Sequence, residues 1–127
     1  MTRYLLDTSF VIDQLRGEPS AIARFDRIFA DGDEPLITEL VACEAWTGAP
    51  SDDDPDLTAL LSATEFVQPG LDAARVAGRW RADLLRRGAT LSLPDSLIAA
   101  AAHDLGATVL TRNVRDFALT PVSIERY

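Results

Sequence analysis

Lysine is absent from this 127-residue chain, and all 12 of its cationic side chains are arginine. Codon bias is the simplest source of that absence, but it leaves every cationic contact to a planar guanidinium suited to bidentate phosphate binding. The one cysteine, Cys43, can form no internal disulfide; set in an apolar stretch, it is expected to be a small buried hydrophobe. The one histidine, His103, rules out a histidine pair as acid and base and is expected to be a surface or packing residue of a helix. No glycine-rich phosphate loop and no Cys/His spacing suited to zinc is present. No apolar run approaches the length of a bilayer-spanning helix, and a strand begins almost at once without a basic and apolar leader. A cytoplasmic, soluble protein with no membrane partner is therefore expected.

What the chain does have is acid. Twenty Asp and Glu against 12 Arg give a formal net charge of −8, which argues against broad nonspecific adhesion to nucleic acid and suggests a basic partner or an acidic metal site. A hydrophobic content of 47% in 127 residues suffices for one core and leaves no room for a second domain.

Strand and helix signals alternate along the chain. Tyr4-Leu5-Leu6 reads as a strand, with Thr8-Ser9 as N-cap of a helix through Phe10, Val11, Ile12 and Leu15 that stops at Gly17. A second helix from Pro19 and Ser20 carries Ile22, Phe25, Ile28 and Phe29 at helical spacing and ends in Asp31-Gly32-Asp33. Pro35 to Thr38 is a strand, and Thr38 caps a third helix running to Gly48. After the acidic loop Ser51 to Pro55 come a helix near Leu57 to Ala63, a short strand at Phe66-Val67 and a long helix from Leu71 to Arg87. Pro94 to Leu105 is the last helix, Ala107 to Thr111 an apolar strand, and Val122-Ser123-Ile124 an edge strand. Such alternation predicts a parallel sheet with helices on both faces, and ligands outside the carboxyl ends of its strands.

Acidic residues fall at those ends. Asp7 follows the first strand, Asp95 opens the last helix, and Asp116 lies shortly after the apolar strand. Glu44 stands among Val41, Ala42, Cys43, Ala45 and Trp46, where an ionised carboxylate needs a partner. It is preferred over Glu39 because it shares a face with Gly48, a point of close approach. Asp7 and Asp95 could each instead serve a helix N-terminus. Carboxylates this far apart in sequence are costly to gather unless a hard cation neutralises them, and magnesium is the expected one. After the apolar strand, Thr111 can bond a neighbouring carboxylate and Asn113 offers a neutral oxygen, with Arg112 and Arg115 flanking as substrate-binding candidates.

Leu5-Leu6-Asp7-Thr8-Ser9, Glu44 with Gly48, Leu93 to Ala100, and Leu110 to Phe117 resemble the four successive motifs of PIN domains, in order and from end to end of the chain. The nearest resemblance is to the VapC-like toxins of toxin–antitoxin pairs. It implies a single PIN-like domain over residues 1–127, a three-layer α/β/α fold with a short central parallel sheet, and a magnesium-dependent endoribonuclease in which manganese can substitute. Asp7, Glu44, Asp95 and Asp116 match the family's catalytic acids, with Asp7, Asp95 and Asp116 as metal ligands. Thr8 or Ser9, and Thr111, match its supporting hydroxyls. Asn113 stands where other PIN domains often carry another aspartate, which favours one firm metal site over two. The implied partners are an RNA substrate, a cognate antitoxin, and a second copy in a homodimer that assembles further with the antitoxin.

Metal-activated water and carboxylate-held positive charge are what phosphodiester hydrolysis requires, so the residues agree with the resemblance. The alternative is a degenerate PIN-like module that binds RNA or protein without cleaving; a complete acidic quartet speaks against it. A magnesium phosphohydrolase of another α/β family would carry Asp-x-Asp after the first strand, where this chain has Asp7-Thr8-Ser9. Arg75, Arg79 and Arg86 share one face of the long helix, either as a basic stripe for RNA or as a solvated face pairing with nearby acids.

Overall fold

The computed structural model describes all residues, Met1–Tyr127. Twelve elements follow in order: β1 (Arg3–Leu6), α1 (Thr8–Leu15), α2 (Pro19–Ala30), β2 (Glu34–Thr38), α3 (Glu39–Thr47), α4 (Pro55–Ser62), β3 (Glu65–Val67), α5 (Leu71–Arg86), α6 (Leu93–Leu105), β4 (Thr108–Leu110), α7 (Val114–Phe117) and β5 (Ile124–Glu125). The five strands form one sheet in the order β3-β2-β1-β4-β5, and every pairing is parallel.

Because β1 is central, the connections through β2 to β3 cross the sheet in one direction and those through β4 to β5 in the other. Right-handed crossovers then place helices on both faces. That explains the strand composition: Leu5, Leu6, Leu36, Ile37, Val109 and Leu110 are essentially sealed from solvent, since both sides of a covered parallel sheet are interior. Each such side chain contributes about 1.5–3 kcal/mol by leaving water. The reversal of strand order falls between β1 and β4, and the crevice beyond their carboxyl ends is where such sheets place ligands. Asp7 and Thr111 are the residues that follow these two strands. The Asp7 N–H donates to the Leu110 carbonyl at 3.1 Å, so the β1/β4 ladder runs to the edge of that crevice.

Helix α6 carries Asp95 into place. Ser92 Oγ caps it by accepting from the Asp95 N–H at 3.2 Å, and Pro94 lies in its first turn. Ala99 to Ala102 are buried together, small enough to let the helix pack tightly between its neighbours. Gly106, at φ +62°, ends it, and the Ala107 N–H turns back to the Ala102 carbonyl at 2.9 Å.

Several expectations need correction. Thr8 and Ser9 do not cap α1; they are its first residues, and Asp7 holds the N-cap position without a side-chain cap bond. Cys43 is exposed, because α3 turns Glu39, Cys43, Trp46 and Thr47 outward on one face. Phe29 is likewise exposed, its ring edge-on to Phe25 at 5.0 Å. Gly48 admits no close approach, its nearest neighbour being the Ala45 carbonyl at 3.9 Å from a Cβ placed there. The segment after β4 contains the short helix α7, and the edge strand is Ile124–Glu125, slightly later than Val122 to Ile124. Thr38 does cap α3, accepting from the Val41 N–H at 3.4 Å. His103 is exposed, edge-on to Trp80 at 5.5 Å. No helix is long and apolar enough to cross a membrane.

Candidate active site at the carboxyl edge of the sheet

Asp7 is the centre of the site. Only 5% exposed, its carboxylate does not cap α1; it accepts at Oδ2 from Thr111 Oγ1 at 2.7 Å and from Ser9 Oγ at 2.9 Å. One hydroxyl comes from the end of β4 and the other from the first turn of α1. Both hydrogens fall on the same oxygen, so Oδ1 keeps its lone pairs free of any hydrogen bond, and it is not among the sealed, unpartnered atoms of the chain. Thr111 Oγ1 also accepts the Asn113 N–H at 2.8 Å, and Ser9 Oγ accepts the Arg112 N–H at 3.3 Å. The hydroxyls are thus oriented as well as orienting.

Glu44, half-buried on α3, accepts from Thr8 Oγ1 at 2.6 Å through Oε1. It lines a cleft of about 290 Å³ with Ile12, Arg16 and Gly48, and also a groove of about 540 Å³ with Leu40, Pro69, Ala73 and Leu97. Its rival Glu39 is exposed. Asp95 accepts from Asn113 Nδ2 at 3.4 Å, so Asn113 meets the quartet as a donor. Burial pushes the Asp95 carboxyl above its ordinary range. The charges of Asp7, Asp116 and Glu44 push it the same way, while Ser92 opposes them. The four acids expected from sequence therefore share one electrostatic neighbourhood.

No three of them converge into a ready cage for a metal ion. The donor set is nonetheless all oxygen, as a hard cation requires, and magnesium commonly keeps several waters while taking few carboxylates. Asp7 with its free Oδ1, Asp95 and Asp116 are the residues that could hold such an ion.

Of the two arginines expected to grip substrate, Arg115 is exposed and forms no ion pair, whereas Arg112 Nε lies 2.8 Å from Asp13 Oδ2. Asp13 is buried on α1, and the Tyr127 hydroxyl donates to the same Oδ2 at 2.5 Å. Burial, followed by the hydrogen bond to Asp13, holds the Tyr127 phenol up to about 12, so it remains a donor. Neither residue was expected from sequence. The signal was an acid three positions after Phe10, on the apolar face of α1. The long-helix stripe is largely self-paired: Arg75 bonds Asp72 at 2.7 Å and Arg86 bonds Asp83.

Comparison with known proteins agrees with the fold. The PIN domain description matches residues 4–121. Ribonuclease VapC19 of Mycobacterium tuberculosis is 34% identical over 117 residues, covering 92% of this chain and 94% of that protein. The tRNA(fMet)-specific endonuclease VapC of Salmonella typhimurium is 27% identical over 126 residues, covering 95% and 94%. Among solved structures, DNA-bound VapBC from Salmonella typhimurium superposes with a TM-score of 0.80 at 26% identity, over 99% of this chain and 98% of that one. VapBC2 of Rickettsia felis, bound to a promoter DNA fragment, superposes at 0.86 with 22% identity over 99% of each chain, a likeness of fold. With a family match through nearly its whole length and a relative at 34% identity, this chain belongs to the PIN domain family.

Proposed function

We propose that the chain is a metal-dependent endoribonuclease and the toxin member of a toxin–antitoxin pair. The observation that carries this reading is the Asp7 carboxylate. Two hydroxyls from separate segments orient it through Oδ2 and leave Oδ1 free, beside acids whose charge reaches Asp95. An acid so arranged serves a cation better than it serves a helix N-terminus. Asp7, Asp95 and Asp116 would hold magnesium or manganese, which supplies an activated water and positive charge for the transition state. The relatives named ribonuclease and endonuclease VapC support RNA as substrate, and the VapBC complexes support an antitoxin partner.

The chain's own residues then have distinct tasks. Thr111 and Ser9 fix the direction of the Asp7 carboxylate. Thr8 holds Glu44 through Oε1, leaving Oε2 to accept a proton from the attacking water. As the water oxygen bonds to phosphorus, the phosphorus–sugar oxygen bond breaks, and the departing oxygen takes up a proton from solvent. Asn113 steadies Asp95. An acidic site of this kind also suits a basic antitoxin segment and, with a second copy of the chain, a larger inhibited assembly.

Incubation of the purified protein with total bacterial RNA and magnesium, with sequencing of the new ends, tests the activity. Asp7→Asn and Asp95→Asn should each keep the fold and lose at least about two orders of magnitude of cleavage, the scale of one essential electrostatic element. Near-parental cleavage by either variant removes that residue from the catalytic set. A parent inert with both magnesium and manganese is the result expected of a binding module.

A further inference from the structure

Three consecutive residues after β4 each reach a different acid. Thr111 Oγ1 meets Asp7 at 2.7 Å, Arg112 Nε meets Asp13 at 2.8 Å, and Asn113 Nδ2 meets Asp95 at 3.4 Å. The first and third acids belong to the quartet. The second does not, and nothing in the proposed chemistry uses it.

Asp13 is 6% exposed on the inner side of α1, where an ionised carboxylate is costly and an apolar residue would serve the core at least as well. Its Oδ2 faces both Arg112 and the Tyr127 hydroxyl. The Tyr127 ring stands edge-on to the fully buried Phe10 at 4.8 Å, so the hydroxyl is located by the core itself. Arg112 is tied a second time through its backbone, whose N–H donates to Ser9 Oγ, the hydroxyl that in turn donates to Asp7. The arginine is therefore registered against the catalytic carboxylate by one short path and against the core by another. Its side chain is still 55% exposed, and its two terminal nitrogens are committed to no carboxylate or backbone carbonyl. A planar guanidinium ion-paired at Nε and set against the Tyr127 hydroxyl, with no carboxylate on its outer nitrogens, is shaped for the oxygens of a phosphate.

We propose that Asp13 and Tyr127 are positioning residues that hold the Arg112 guanidinium beside Asp7, with its outer nitrogens presented to a phosphate of the bound RNA. This rests on the ribonuclease reading. Two alternative roles make different predictions: if Arg112 only neutralises Asp13, RNA affinity is indifferent to it, and if Tyr127 only packs, its hydroxyl is dispensable.

The test is binding of a fluorescein-labelled, random-sequence single-stranded RNA in chelator, as a function of salt, by the parent, Tyr127→Phe, Arg112→Ala and the double variant. Melting of each is recorded in parallel. Arg112→Ala should weaken binding about tenfold, the scale of a hydrogen-bonded charge, and lower the slope of log affinity against log salt by about 0.7, one phosphate contact on a single strand. Tyr127→Phe, which keeps the ring on Phe10, should weaken binding about threefold in the parent and have no further effect once Arg112 is gone. Asp13→Asn provides a second route, with the same dependence on Arg112. Equal effects of Tyr127→Phe in both backgrounds, or affinity and salt slope unmoved by Arg112→Ala, overturn the proposal. Cleavage of total RNA by the parent in magnesium is the control: its absence overturns the ribonuclease reading and this proposal with it, whereas cleavage with additive variants overturns this proposal alone.

Discussion

Asp95 carries the electrostatic tension of the site. In the first turn of α6 the helix dipole favours its charged form, yet its carboxyl is raised from the ordinary 3.8 by burial and then by Asp7, Asp116 and Glu44. The folded chain thus binds this proton more tightly than the unfolded chain. The associated stability is full below the ordinary value and is lost as pH rises through the raised one. Asp95→Asn fixes an uncharged side chain, so without metal it should melt above the parent at neutral pH, the gap closing as pH falls through the carboxylate range. Melting in chelator across that range checks this; parallel curves for parent and variant would mean that neither burial nor the neighbouring acids raise the Asp95 carboxyl. At this scale the legible residues were those at junctions. Asp7, Asp95 and Thr111 adjoin strand or helix ends that local sequence signals, whereas the pairing of Asp13 with Tyr127, 114 positions away, leaves no local trace.

The elements that hold these residues are joined by short, tightly specified turns, of which the α6–β4 junction matters most because it links Asp95 to Thr111. Gly106 takes φ +62° there, and a Cβ would meet nothing within 4 Å. Gly106→Ala should therefore cost only the left-handed backbone penalty of about 1–2 kcal/mol, without a clash. Urea unfolding should give a lower midpoint with an unchanged slope, and cleavage per folded molecule should stay at the parental level; a lost activity at full folding would mean that the turn tunes the site directly. Most elements were legible because glycine and proline punctuate them and their apolar periods are clear. Helix α7 was not, since four residues hold too little pattern to separate a helix from a loop. Strand β5 was displaced because its register, Val109 opposite Ile124 and Leu110 opposite Glu125, is chosen by β4. Cys43 was misplaced because an apolar run on a helix must still turn one side to solvent. The arginine stripe of α5 was visible, but its pairing with Asp72 and Asp83 needed side-chain geometry.

For the whole molecule, a net charge of −8 sets the problem that RNA binding would have to overcome on the proposed reading. The general field repels a polyanion and attracts cations, so local positive charge has to do the recruiting. Arg75 and Arg86 are paired to acids of their own helix and Arg112 leans on Asp13 through Nε alone, so on the proposed reading that charge would come from Arg115, the outer nitrogens of Arg112, the unpaired Arg79 and a metal. Asp7, Glu44, Asp95 and Asp116 lie far apart in the chain and come within electrostatic reach of Asp95 only when the end of β1, α3, α6 and α7 have assembled, so a cation bound among them would bind the folded state alone. Such a ligand at a hundred times its dissociation constant stabilises the fold by about 2.7 kcal/mol. Magnesium or manganese should therefore raise the melting temperature at neutral pH, and Asp7→Asn or Asp95→Asn should shrink that rise. General screening of a −8 chain would also stabilise it, so sodium chloride at matched ionic strength is the necessary comparison. A melting temperature that moves no further with either divalent cation than with the matched salt would mean that the quartet holds no ion until RNA brings its own phosphate oxygens to complete the site.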